Sequence, residues 1–132
     1  MSRLKQATAA AALGDCQSPD STTGCRHYRF DSGFVGFAGH FPGHPILPAL
    51  VQILAGETLA EAWCGRPLQL TAIENAKFVR PLSPGQKVLV QCQRRDVKNK
   101  TAAGMTCEVR ISVDDNLAAS FVLVLSEKET RP

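Results

Sequence analysis

The sequence predicts an α+β domain in which a curved antiparallel sheet wraps a single long helix. Three observations predict it. A helical run too apolar to lie on a surface begins near Pro48; a loop dense in glycine and proline leads into it; and four long strand-like segments follow it. At 132 residues the chain has the length of one domain, large enough to bury a core without disulfide or metal staples.

Residues 1 to 23 are rich in Ala, Ser, Thr, Gly and Asp and show no sustained apolar period, so they read as a flexible arm or a loosely docked first strand, with the folded domain expected over 24 to 132. Cys25 to Phe30 has β character and is closed by Asp31, Ser32 and Gly33, and His27 reads as an ordinary strand residue. The next stretch is punctuated by Gly33, Gly36, Gly39 and Gly43 and by Pro42, Pro45 and Pro48. Prolines fix φ and glycines permit positive φ, so this is a specifically shaped loop. Pro48 is expected as the first helical residue and Gly65, with Pro67 beyond it, as the stop. Because Leu50, Val51, Ile53, Leu54, Leu59, Ala60, Ala62 and Trp63 cover most of its circumference, the helix should be buried nearly all round.

Strands are expected over 68 to 80, 86 to 95, 103 to 113 and 117 to 127. They are divided by Ser83-Pro84-Gly85, by Lys98-Asn99-Lys100 and by Asp114-Asp115-Asn116. Composition narrows the function classes. Apolar content of 44% and charged content of 20% are those of a soluble globular protein, and the N-terminal alanine run is too weakly apolar for a signal segment, so a cytoplasmic protein is expected. Five widely spaced cysteines suit neither a disulfide framework nor a zinc site, and they read as buried or incidental thiols. A net charge of +3 with few aromatics gives nucleic-acid binding little support. Arg94, Arg95, Lys98 and Lys100 form a local basic cluster, either a solvated hairpin end or a site for an acidic partner.

Two blocks carry a resemblance. GHFPGHPILPAL, residues 39 to 50, resembles the signature loop of the 3-hydroxyacyl-(acyl carrier protein) dehydratases of the FabZ and FabA type. IENAKFVRPLSPGQKV, residues 73 to 88, is similar to that family's strand with its Ala-x-Phe-x-Arg-Pro pattern. The resemblance covers about residues 25 to 127 and implies the hot-dog fold, a long helix wrapped by a curved antiparallel sheet. Gln52 is also reminiscent of the dehydratase-like subgroup of aryl-polyene and related polyketide pathways.

The implied reaction removes water from a 3-hydroxyacyl thioester to give the trans-2-enoyl thioester. An imidazole with a pKa near 6.5 suits the C2 proton, and His40 matches the family's catalytic histidine, whereas His44 falls where the family varies. Gly39, Phe41, Pro48 and Ala49 are the implied substrate-binding residues, with Ala49 where the family usually has glycine. Its amide, at the positive end of the helix, would polarise the thioester carbonyl. The departure concerns the acid. The family has Glu or Asp where this chain has Leu54. Glu57, about 60° around the helix and about 4.5 Å along it, is the candidate replacement; alternatively Glu57 and Glu61 mark a solvated or interfacial stripe. Gln52, about 160° from Leu54 around the helix, is a poor stand-in for the acid.

The resemblance further implies a homodimer with sites at the subunit interface and an acidic acyl carrier protein (or coenzyme A) as substrate carrier, met by Lys77, Arg80, Arg94 or Arg95. It implies no cofactor and no metal. The alternatives are a catalytically impaired acyl-thioester binding protein, a subunit of a competent partner, or an acyl thioesterase.

Overall fold

The computed structural model describes residues 3–37, 46–95 and 104–127. Helix α1 (Arg3–Ala10) leads into β1 (Ala12–Asp20) and β2 (Thr23–Arg29), and a single 3-10 turn follows at Val35–Phe37. The long helix α2 (Ala49–Cys64) is followed by β3 (Leu68–Phe78), β4 (Lys87–Arg95), β5 (Gly104–Val113) and β6 (Asn116–Glu127). All six strands form one antiparallel sheet in the order β1-β2-β4-β5-β6-β3, and α2 packs on its inner face. The expected α+β architecture is therefore the one observed.

The register follows from alternation. In β4, Val88, Val90 and Cys92 point inward, and in β5 Met105, Cys107, Val109 and Ile111 do the same, while their neighbours are half-buried or exposed. These side chains close over Val51, Ala55 and Leu59 of α2, with Phe121 and Leu123 from β6 and Tyr28 from β2. Fully burying one such aliphatic side chain contributes about 1.5–3 kcal/mol. Helix and sheet approach closely at Gly56, where an added Cβ would stand 3.1 Å from Phe121 and from Val109. The β5–β6 hairpin turns on Asp114 and Asp115 alone, both with positive φ (50° and 66°), a conformation that Asp tolerates better than most residues and that matches the strand twist.

Four expectations are corrected. The segment read at 1–23 as an arm or a loosely docked first strand contains both α1, which lies on α2 and was not expected, and β1, an edge strand paired with β2 with two register shifts. Pro48 is the cap and not the first helical residue, since its ψ of 150° is extended. The third long strand ends at Phe78, before residue 80, because Val79 and Arg80 both donate to the one carbonyl of Ala118. Finally, α2 is not buried all round. Ala49 and Leu50 are exposed, Ile53 and Leu54 are half-buried, and the polar Gln52, Glu57 and Thr58 lie inside.

The stop at Gly65 is as expected, with φ 74° and its N–H bonded to Glu61 O at 2.9 Å. Cys92 and Cys107 are buried, the other three cysteines half-buried, and all five are free. The Lys98-Asn99-Lys100 turn lies outside the described residues. Among the described residues no helix is long and apolar enough to cross a membrane.

Tyr28 links the sheet to the helix through a polar contact. Its hydroxyl lies 2.9 Å from Thr58 Oγ1 and 3.3 Å from Ala55 O, and Thr58 Oγ1 donates to Ala55 O at 3.0 Å. Removing the phenol oxygen strands no donor, because Thr58 keeps its own bond to Ala55. Tyr28→Phe is therefore expected to lower the unfolding free energy by only about 1 kcal/mol. Urea denaturation should show a lower midpoint with an unchanged slope.

Candidate functional site

The start of α2 is pinned from two directions. Leu47 N–H donates to Leu82 O at 2.8 Å, and Leu47 O accepts from Gln52 Nε2 at 3.1 Å, so the residues entering the helix are tied both to the segment after β3 and to the helix's own first turn. Pro48 has no N–H to satisfy, and its carbonyl accepts from Val51 and Gln52 at 3.1 and 3.2 Å. Ala49 and Leu50 precede those first intrahelical bonds, so their amides stand at the positive end of the helix dipole.

Ala49 lines a cavity of about 270 Å³ together with Ile46, Leu47, Gln52, Phe78, Val79, Arg80 and Pro81. Most of its wall is apolar. The polar groups are Gln52, which is 4% exposed, and Arg80, which is exposed. Gln52 Oε1 is buried without a hydrogen-bond partner. The cavity thus combines a helix N-terminus with a mostly apolar wall.

The residues predicted from sequence fall in different places. Ala49 is on the cavity and Pro48 caps the helix beside it. Gly39, His40, Phe41 and His44 lie outside the described residues. Leu54 is half-buried, and neither it nor Glu57 is among the side chains bounding the cavity. Glu57 is 6% exposed, and its Oε1 accepts from Lys5 Nζ of α1 at 3.1 Å. Lys5 also reaches Glu61 Oε1 at 2.9 Å, and Glu61 Oε2 in turn accepts the Leu68 N–H at 2.8 Å, at the head of β3. The stripe of Glu57 and Glu61 is therefore a contact within the chain, covered by α1.

Burial is the largest influence on the Lys5 ammonium and lowers its pKa, but hydrogen bonds to Glu61 and Glu57 and their charges together outweigh it and hold the pKa above 10.5. Among the candidate carrier-binding cations, Arg95 is paired with Glu108, while Lys77, Arg80 and Arg94 are exposed. From the sequence Gln52 is a subgroup marker and a poor stand-in for the acid, and its place on the cavity wall was missed. The signal was a long amide on the first turn of an otherwise apolar helix. Among the described residues no group of three His, Cys, Asp or Glu side chains is arranged to hold a metal.

A curved antiparallel sheet around one helix, with the helix start opening on an apolar cavity, defines a hot-dog domain. The family model "ApeI-like: ApeI dehydratase" matches residues 17–119, and the chain belongs to this ApeI-like dehydratase family. It is 36% identical over 100 residues to the 3-hydroxyacyl-[acyl-carrier-protein] dehydratase FabZ of Fusobacterium nucleatum, covering 69% of this chain and 67% of that one. With the FabZ of Wolbachia sp. subsp. Drosophila simulans the identity is 34% over 91 residues, covering 63% and 62%. The chain thus spans about two thirds or less of the length of these curated relatives. Among solved structures it is similar to "The Dehydratase Heterocomplex ApeI:P from Xenorhabdus doucetiae", with TM-score 0.70 and 23% identity over 88% of this chain and 96% of that one. It is also similar to the Escherichia coli PaaI protein of the phenylacetic acid degradation operon, with TM-score 0.68 and 16% identity over 93% and 89%. At these identities the structural likeness concerns the fold.

The Lys5 cluster generates a pH-dependent prediction. A raised lysine pKa contributes stability that is present below the unfolded value, near 10.4, and is lost as pH rises through the folded value. Lys5→Met is expected to destabilise on the order of 2 kcal/mol at neutral pH, less than the ~3–5 kcal/mol for breaking a fully buried pair because the Lys5 side chain keeps 14% exposure. Urea midpoints of the wild type and the variant, measured from neutral pH to above 10.5, should converge at the alkaline end.

Proposed function

We propose that the chain binds a 3-hydroxyacyl thioester presented by an acyl carrier protein, or by coenzyme A, and eliminates water to give the trans-2-enoyl thioester, within fatty acid or polyketide-type synthesis in the cytoplasm. The observation that carries this reading is the apolar cavity at the N-terminus of α2 with Ala49 on its wall. A thioester carbonyl at that amide meets the positive end of the helix where charge develops on oxygen. The family match and the relatives named as 3-hydroxyacyl-[acyl-carrier-protein] dehydratases support the same reading.

In this reading His40 takes the C2 proton, the C2–H electron pair forms the C2–C3 double bond, and the hydroxyl leaves C3 with a proton as water. Leu54 has no proton to give, and a proton on Glu57 would uncouple it from Lys5. The acid is then either the imidazolium that His40 has become or a group on a partner subunit. These same two observations favour a second reading, a thioester-binding subunit that works beside a competent partner. It is consistent with a similar chain being described as part of a dehydratase heterocomplex.

The surface for such a partner, or for a second copy, is β3. It is an edge strand, almost wholly exposed beyond Leu70, with Ile73 and Phe78 each 41% exposed and Val79 beside it 59% exposed. A long edge strand with exposed Ile73 and Phe78 offers unpaired backbone groups to another strand. Both edge strands carry two register shifts, and the opposite edge, β1, also carries Asp15, Pro19 and Asp20, which discourage pairing.

Incubation with a 3-hydroxyacyl carrier protein, followed by mass spectrometry, should reveal loss of water, and His40→Ala should abolish it. Binding without loss of water would instead establish the second reading, and release of free acid would make the protein a thioesterase. For the assembly, Ile73→Lys places a charge on the β3 edge and should convert an oligomer to a monomer in sedimentation, while the circular dichroism of the fold is retained.

A further inference from the structure

The exposed part of β3 carries a pattern that reads the same from both ends. From Ile73 to Phe78 it runs apolar, acidic, Asn75, Ala76, basic, apolar. Under strict alternation Ile73 and Phe78, five residues apart, would face opposite sides of the sheet. One extra residue changes this. Glu74 pairs with Val122 and Lys77 with Ser120, so Asn75 and Ala76 together oppose Phe121, and Asn75 takes a φ of 51°. Ile73 and Phe78 consequently both lie on the helix side, paired with the buried Leu123 and Ala119, and Phe78 stacks on Phe121 with ring centroids 6.1 Å apart. Glu74 and Lys77 both lie on the other side, exposed and, among the described residues, without an ion pair.

We infer that β3 pairs with β3 of a second copy of this chain, antiparallel and about a two-fold axis centred between Asn75 and Ala76. The inference rests on the reading of β3 as the association edge. Under that axis Glu74 meets Lys77 of the second copy, Ile73 meets its Phe78, and each contact occurs twice. Residues directly opposite in an antiparallel pair share a face, and both combinations do. The bulge is no obstacle, because the axis sets one bulge against the other and the two strands keep step on either side of it. A strand from a different protein makes no demand on this symmetry, whereas a second copy uses all of it. The pairing also extends the candidate site. Phe78, 41% exposed, lines the cavity beside Ala49, so Ile73 of the second copy comes against its wall and each cavity is flanked by both chains.

Sedimentation equilibrium of the intact chain at low ionic strength, where exposed charges are least screened, tests this. The wild type should dimerise. Glu74→Lys and Lys77→Glu each set like charges opposite one another twice, and each should raise the dissociation constant on the order of 10-fold or more. Mixing the two variants restores both opposite-charge pairs, so the equimolar mixture should return to the wild-type constant. The double variant, with both substitutions in one chain, should do the same, and its recovery excludes unfolding as the cause of the loss. Single variants that dimerise like the wild type, or a mixture and a double variant that stay dissociated, overturn the inference. If Ile73→Lys nevertheless gives a monomer, the β3 edge stands as the association surface with another register. A monomeric wild type, or an Ile73→Lys variant that remains dimeric, removes the edge reading and the inference with it.

Discussion

A helix that carries Gln52, Glu57 and Thr58 on its buried side can be enclosed only if their polar atoms find partners away from water, and this requirement organises the rest of the chain. Three different elements answer it. Lys5 of α1 meets Glu57, Tyr28 of β2 meets Thr58, and the carbonyl of Leu47, just ahead of the helix, meets the Gln52 amide. The hydrophobic contacts of Val51, Ala55 and Leu59 supply most of the driving force, but they do not set the rotation of the helix as narrowly as these directional bonds. Without α1, the Glu57 carboxylate would lose its partner Lys5 and the helix that covers it.

The two halves of α2 consequently do different work. Its C-terminal half is closed: Glu61 joins Lys5 to the Leu68 amide, and Gly65 ends the helix with its N–H on the Glu61 carbonyl. Its N-terminal half is open, with exposed Ala49 and Leu50, a cavity beside the first turn, and one acceptor left over. The closed half gives the open half a fixed frame, and a preformed pocket spends less of its binding free energy on ordering side chains.

What the sequence disclosed was what local chemistry determines. The glycine stop at Gly65, the Asp114-Asp115 turn and the alternation in β4 and β5 each follow from a few neighbouring residues, and together they define a helix wrapped by a sheet. Helix α1 was illegible for the opposite reason. The Ala, Ser and Thr of the N-terminal segment carry no period, and α1 is held by tertiary contacts with α2, through Lys5 above all. The direction of Glu57 was likewise hidden, because helical geometry gives its angle to Leu54 but not which element lies over it. Gln52 could be read as polar in an apolar run, yet only the position of Leu47 O reveals which end of its amide is free.

The pairing of Lys5 with Glu57 also bears on the proposed reaction, in which Leu54 would stand where an acid is expected. Protonating Glu57 would remove its charge from one of the two ion pairs by which Lys5 ties α1 to α2, so chemistry and folding would compete for one carboxyl group. Leu54 imposes no such conflict: it is half-buried, apolar and compatible with the helix as it stands. The start of the helix keeps an amide at its positive end beside a mostly apolar cavity wall, and neither part draws on Glu57. The open start of α2 and the Lys5–Glu57 contact are therefore separate parts of one helix, the second committed to holding α1.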